Sequence, residues 1–477
     1  FSIANRVNDQ LMLKDQLFLI QSDLMGLLPI IILIAGSVLL LVFGVFFPTR
    51  TSILKILYAA IILTSFSFVS GDEKQYFDGM IAFSFFGNVL HHIFFISSLL
   101  LLIFYNKKVQ EAEYYFLILA LLVGAYLLVI SRHLLQIYMS LELISYCSYF
   151  LTAFSFNHKS SEAALKYALF GGVSAATMLF GISLIFMESQ SLYISEITYS
   201  VTSAAGLLLV FGGLLFKSSL VPFHLWVPNT YERAPVSIAA YLSIVSKLAG
   251  MGAIFFLISQ LNFETVFLVR FCLLVSLASI IVGTLGAINQ TNVRRLVAYG
   301  AIAHSGFLLP FLLIPEGRGL HGFIFYAIIY TLMSFGIFYF ISVFEKHKVI
   351  SIRHYAAMAK QFPSITIAGF VMFIALVGLP PTAGFMAKIS LFGHVWNEYV
   401  NQGSTLWLAY FAIGILSTAV SLYYYLRVPF YSFLSPRKPL SIKIEGFETA
   451  IATFFALLLF ILFIQPEFID IFVSSFP

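Results

Sequence analysis

From Leu24 almost to the C-terminus, apolar runs recur near or above the roughly 18 to 20 residues that cross a bilayer, separated by short polar or Gly/Pro-rich breaks. No other feature limits the fold so tightly. In hydrocarbon each backbone N–H and C=O must be satisfied by the protein itself, which leaves helices or closed barrels. Continuous apolar runs, as opposed to alternation, select helices. Composition agrees: 60% of the 477 residues are hydrophobic and 10% are charged, against about 25% charged in soluble domains. The chain is read as an all-α polytopic membrane protein. Residues 1–23 are too polar for the apolar core of a signal peptide, so insertion is expected to rely on the first span.

The breaks predict about fourteen spans, near residues 24–47, 52–70, 83–105, 113–131, 133–156, 162–187, 204–230, 236–260, 266–288, 296–315, 320–344, 362–399, 405–430 and 446–465. Pro222 interrupts the seventh, and Pro380 with Pro381 interrupts the twelfth. Residues 113–260 and 261–430 therefore read as two five-helix sets, each broken in its fourth member. They are preceded by three spans over 1–112 and followed by a loop and a last span over 431–477. Five is odd, so the second set enters the bilayer inverted, an arrangement that places ion sites near the midplane.

Basic residues test the count, since Lys and Arg accumulate in cytoplasmic loops. Arg50, Lys55, Lys107, Lys108, Lys159, Lys166, Arg233, Arg294, Arg295, Lys346, Lys348, Arg353, Lys360, Arg427, Arg437, Lys438 and Lys443 fall in alternate loops or adjoining helix ends, while Arg6, Lys14, Lys74, Arg132, Arg270 and Arg318 fall opposite. Both termini are thus expected on the outer, periplasmic side. Lys217, Lys247 and Lys388 belong to neither surface.

An ionisable side chain at the bilayer centre costs at least about 2.5 to 3.5 kcal/mol on insertion scales, so it is rare and usually functional. Glu142, Lys217, Lys247 and Lys388 each lie well inside a span. A structural ion pair between Glu142 and Lys217 accounts for one lysine, not three. The surplus points to groups that change protonation, because burial favours the neutral amine and a nearby carboxylate restores the ammonium. His224, just after the first break, and His304, mid-span, extend the row. Lys166, one turn into the sixth span, reads either as a snorkelling anchor or as the inner entry of a proton path. His91, His92, His133, His158, His321, His347, His354 and His394 are assigned to span ends or loops, without a role.

Cys147 and Cys272 stand alone in apolar segments and read as packing residues. No phosphate-binding glycine loop, dinucleotide fingerprint or metal-spaced cluster is present in the sequence. No redox centre, nucleotide or nucleic acid is expected on this chain.

The stretches "LFKSSLVPFHLWVPNTYERAP", "AAYLSIVSKLAG", "RRLVAYGAIAHSGFLL" and "GLPPTAGFMAKISLF" resemble the antiporter-like membrane subunits of respiratory complex I, the proton-pumping NADH:quinone oxidoreductase. The likeness runs from about residue 113 to 430, and "VPNTYERAPV" with "SIVSKLAG" is most similar to the subunit N family. It implies a bacterial inner-membrane subunit that translocates protons, with quinone, FMN and iron–sulfur clusters on other subunits. Its expected neighbours are subunits M, K and J, with lipids around them. By position, Glu142 resembles the family's fifth-helix glutamate, Lys217 its partner on the broken helix, Lys247 the central lysine and Lys388 the terminal lysine. His224, His304 and Lys166 match secondary polar positions. Arg233 stands where the family commonly has glycine, as does Ala387. Two rival readings remain: a subunit of a multi-chain cation/proton antiporter, and a stand-alone inverted-repeat transporter for a small anion.

Overall fold

The computed structural model describes residues 23–47, 50–69, 73–104, 111–261, 266–314, 318–435 and 442–474. Arg6, Lys14, Lys107, Lys108, Arg437 and Lys438, used above to orient the chain, lie outside the described residues.

The helices are α1 Leu28–Phe46, α2 Thr51–Ser67, α3 Phe85–Leu100, α4 Ala112–Ile130, α5 Leu134–Ala153, α6 His158–Ser189, α7 Val201–Lys217 and α8 Trp226–Arg233. They continue as α9 Val236–Ser259, α10 Val266–Ile288, α11 Val293–Leu313, α12 Leu320–Glu345, α13 Pro363–Val377, α14 Ala383–Gln402, α15 Thr405–Leu434, α16 Gly446–Ile464 and the short α17 Glu467–Ser474. Every expected span holds helix. Among the described residues, eleven helices are long and apolar enough to cross a membrane, and three shorter apolar ones, α2, α7 and α13, occupy the second, seventh and twelfth expected positions. A two-stranded antiparallel hairpin, β1 Gln75–Tyr76 and β2 Ile81–Ala82, links α2 to α3.

Local chemistry explains where helices begin and end. The Asn157 side chain accepts from Ser160 N–H and starts α6, Ser200 does the same through Ser203 for α7, and Asn292 accepts from Arg294 and Arg295 to start α11. Such caps satisfy the first-turn donors that have no partner within the helix. Gln190, in the left-handed region at φ 52°, ends α6.

Burial ranks the helices. The apolar windows of α11, α9 and α12 are 94%, 83% and 83% buried, whereas those of α6, α15 and α16 are 33%, 28% and 28% buried. The centre is therefore built from α9, α11 and α12, and the outlying helices carry exposed apolar side chains such as Leu169, Val173, Leu416 and Phe447 suited to lipid or neighbouring chains. Packing follows the order of the chain: α4 against α5, α5 against α6, α6 against α7, then α10 against α11 and α15, with α16 against α13.

The α6–α7 contact depends on two glycines. A Cβ on Gly206 would meet Gly181 O and Ile185 Cγ1, both at 2.8 Å. Small residues let backbones approach where no hydrophobic force drives helices together. Gly206→Leu is expected to destabilise the protein by about 1–3 kcal/mol, read as a lower midpoint of thermal unfolding in detergent. An unchanged midpoint would show that the contact is not tight.

Candidate functional site

Both proline positions are breaks with cis peptide bonds, Val221–Pro222 and Pro380–Pro381. At the first, α7 ends on Lys217 and the chain turns before resuming at Trp226. The freed backbone groups find partners inside the protein: Leu220 N–H donates to Leu215 O at 2.9 Å, Trp226 Nε1 to Phe216 O at 3.1 Å, and Val221 N–H to Ser279 Oγ at 3.0 Å on α10. At the second, α13 ends on Gly378, left-handed at φ 84°. The Val377 carbonyl there accepts the Lys388 ammonium at 2.7 Å.

The three lysines are buried, 1%, 0% and 4% exposed for Lys217, Lys247 and Lys388. Each is solvated differently. Lys217 Nζ donates to Ser145 Oγ at 3.1 Å and Tyr167 Oη at 3.4 Å, with the Tyr167 ring 5.5 Å away. Lys247 follows a π turn over Leu242–Ser246 and donates to Ala301 O at 2.6 Å and Tyr330 Oη at 3.1 Å. Lys388 has the Phe307 ring 4.8 Å from its nitrogen besides the Val377 carbonyl. Carbonyls, hydroxyls and ring faces hold a cation without fixing it as a carboxylate does.

Glu142 and Lys217 interact electrostatically but make no contact ion pair. Glu142 is half-buried on α5 beside Tyr146; Ser145, which accepts from Lys217 and donates to Leu141 O, stands three residues on along the same helix face. A structural salt bridge therefore does not explain Lys217.

From Lys247 the groups run on in one direction. Tyr330, which receives the Lys247 hydrogen bond, lies with its ring 5.1 Å from that of His304. His304 Nδ1 is 2.8 Å from Tyr326 Oη, and Lys247 and Lys388 both act on it electrostatically. Its neighbour Phe307, ring centroids 6.2 Å apart, is the ring that faces Lys388. In the other direction the Tyr167 hydroxyl lies beside Ser246, the residue before Lys247. Glu142, Lys217, Lys247, His304 and Lys388 thus lie along one polar line that starts at the half-buried Glu142 and is buried from Lys217 onward.

His224 and Lys166 lie off that line. They share a separate cleft of about 610 Å³ with Asn229, Arg295 and Tyr299. Lys166 is exposed and pairs with Glu162 at 2.6 Å, which also accepts from Arg233 at 2.9 Å. Arg233 is accommodated by that pairing. Nearby, Arg295 pairs with Glu232 and Arg294 with Glu345, each at 3.1 Å, pinning α8 and α12 to α11.

Ser145, Tyr167, Tyr326 and Tyr330 were not legible as site residues. Only Ser145 had a signal, its spacing from Glu142. His91 and His92 are corrected: instead of ending a span they lie two turns inside α3, 0% and 3% exposed. His91 stacks on Tyr126 with ring centroids 3.6 Å apart, and its Nε2 reaches Tyr126 O at 3.2 Å. Both cysteines are buried and free, as packing residues are.

Residues 131–415 match the family described as NADH:quinone oxidoreductase/Mrp antiporter, TM. NADH-quinone oxidoreductase subunit N 2 of Sorangium cellulosum is 32% identical over 442 residues, covering 84% of this chain and 86% of the relative. Subunit N 2 of Chloroherpeton thalassium is 35% identical over 338 residues, covering 66% of this chain and 64% of the relative, so that alignment spans just under two thirds of the relative's length. A chain of the respiratory complex I from Thermus thermophilus with bound aureothin superposes with a TM-score of 0.79 at 25% identity, covering 92% of this chain and 98% of that one.

Proposed function

Because the chain belongs to the NADH:quinone oxidoreductase/Mrp antiporter family of membrane proteins, we propose that it is subunit N of a proton-translocating NADH:quinone oxidoreductase. It moves protons along the line Glu142, Lys217, Lys247, His304, Lys388, while electrons pass from NADH to quinone on other subunits. The observation that carries this reading is that three buried ammonium groups are held by carbonyl, hydroxyl and aromatic partners and, among the described residues, make no ion-pair contact with a carboxylate. Such a group can lose its proton without leaving an unpaired carboxylate behind, and a charge arriving at one member changes the proton affinity of the next. His224 and Lys166, in their shared cleft, serve as entry groups at the inner surface.

FMN, the iron–sulfur clusters and the quinone site belong to partner subunits, and subunits M, K and J are the membrane neighbours. The chain spans the inner membrane with both termini periplasmic. Spread over α5, α7, α9, α11 and α14, the buried charges suit a relay better than the single pocket of an anion transporter.

Purification in mild detergent tests the assignment. The expected result is co-migration with flavin and iron–sulfur polypeptides and NADH-dependent proton uptake after reconstitution. A complex of membrane subunits alone, active in cation/proton exchange without NADH, would transfer the chain to the antiporter branch of the family.

A further inference from the structure

At one end of the bundle, between the β1–β2 hairpin and the connection from α6 to α7, lies a cleft of about 740 Å³ that the proton line does not reach. Arg132 lines it. This residue stands between α4 and α5, where one span leaves the hydrocarbon and the next enters it, and so at headgroup depth. It is nonetheless only 8% exposed. Its backbone is built in, since Arg132 N–H donates to Met80 O at 2.9 Å and Arg132 O accepts from Ile194 N–H at 3.1 Å. The guanidinium lies 3.8 Å over the Phe256 ring, and Nη1 donates to Ser131 O at 3.0 Å and Val129 O at 3.4 Å.

A guanidinium offers five N–H donors, and the protein acceptors are met through one nitrogen. No carboxylate among the described residues makes an ion pair with it. Burial pushes its pKa down to about 10, which leaves it cationic at neutral pH. A buried, backbone-pinned guanidinium stacked on a ring suits a phosphate oxygen pair.

The rim is of opposite character. Glu73, Asp78 and Glu196 stand there, all exposed, with Lys74 between the first two in sequence. Glu196 also accepts from Ser191. A purely anionic ligand meets three carboxylates on its way in. A ligand with a phosphate at one end and an N–H-donating cation at the other matches both the floor and the rim, and Phe83, Phe255 and Phe256 supply apolar wall beside it.

We propose that this cleft holds the headgroup of a zwitterionic phospholipid in which a phosphodiester is joined to a primary ammonium, the phosphate on Arg132 and the ammonium among Glu73, Asp78 and Glu196. A quaternary ammonium carries the same charge but has no N–H to give the rim, so the site discriminates by hydrogen bonding as well as charge.

Native mass spectrometry of the intact membrane complex tests this, after exposure to mixed micelles of phosphatidylethanolamine, phosphatidylcholine or phosphatidylglycerol. The wild type is expected to retain phosphatidylethanolamine in preference to the other two, and Arg132→Gln to lower that retention by about tenfold. The surface pair Asp78→Asn with Glu196→Gln, which leaves the buried guanidinium in place, should erase the preference over phosphatidylcholine. Equal retention by wild type and Arg132→Gln overturns the proposal, as does a preference for phosphatidylglycerol. Displacement of the lipid by soluble phosphoethanolamine at equal concentration also overturns it, because the site then reads a free zwitterion. So does loss of a neighbouring subunit from Arg132→Gln with lipid content unchanged, which would give the cleft to a partner's carboxylate.

Discussion

Lys388→Met should lower proton transport by about tenfold or more in a complex that still assembles. Methionine matches the lysine stem in length and keeps its contact with Phe307, but it cannot donate to Val377 O or carry a proton. Lys388→Glu is the informative companion. A protonated carboxyl can donate to the same carbonyl, and the group still titrates, so part of the transport should remain. The measurement is NADH-driven acidification in proteoliposomes, normalised to quinone reductase activity and to the amount of assembled complex. Wild-type transport in Lys388→Met removes the residue from the relay. Equal loss in both variants means that the position requires a fixed cation and not a proton carrier.

Gly378→Ala should affect stability and transport together. At φ +84° an L side chain costs about 1–2 kcal/mol, and the new Cβ would lie 2.6 Å from Lys388 Cδ, forcing the lysine off the Val377 carbonyl. Gly403→Ala provides the control. That glycine is also left-handed, at φ +61°, but a Cβ there meets nothing within 4 Å. Both variants are expected to unfold at lower temperature, and Gly378→Ala alone to lose most proton transport. Equal transport in the two would show that Gly378 serves the backbone turn only.

Much of this arrangement was written in residue types. A lysine in an apolar run stands out because burying it is costly, so Lys217, Lys247 and Lys388 were identified before any geometry. Pro222 and Pro380 with Pro381 marked the breaks because a proline cannot donate to the helix ladder. The partners were hidden for a physical reason: Ala301 and Val377 act through carbonyl oxygens, which every residue has. Tyr330 is one of 25 tyrosines, and only the packing of α12 against α9 selects it. The burial of His91 and His92 is not written in their distance from a span end, because burial of α3 depends on α2 and α4 around it. The missing contact between Glu142 and Lys217 was likewise beyond sequence, since opposite charges on two helices suggest attraction but not its reach.

The Val221 N–H freed by the first break is satisfied by Ser279, and the Lys247 ammonium by Ala301 O; in both cases a group from the α7–α9 stretch relies on a partner from α10 or α11. A mechanism in which one part rocks as a rigid body against the other would strain both bonds, and the Val221 N–H would need a new partner in the displaced state. The scaffold is thus stitched across its own seam. A relay that hands protons between fixed side chains asks for no such displacement, so both bonds can persist while it works.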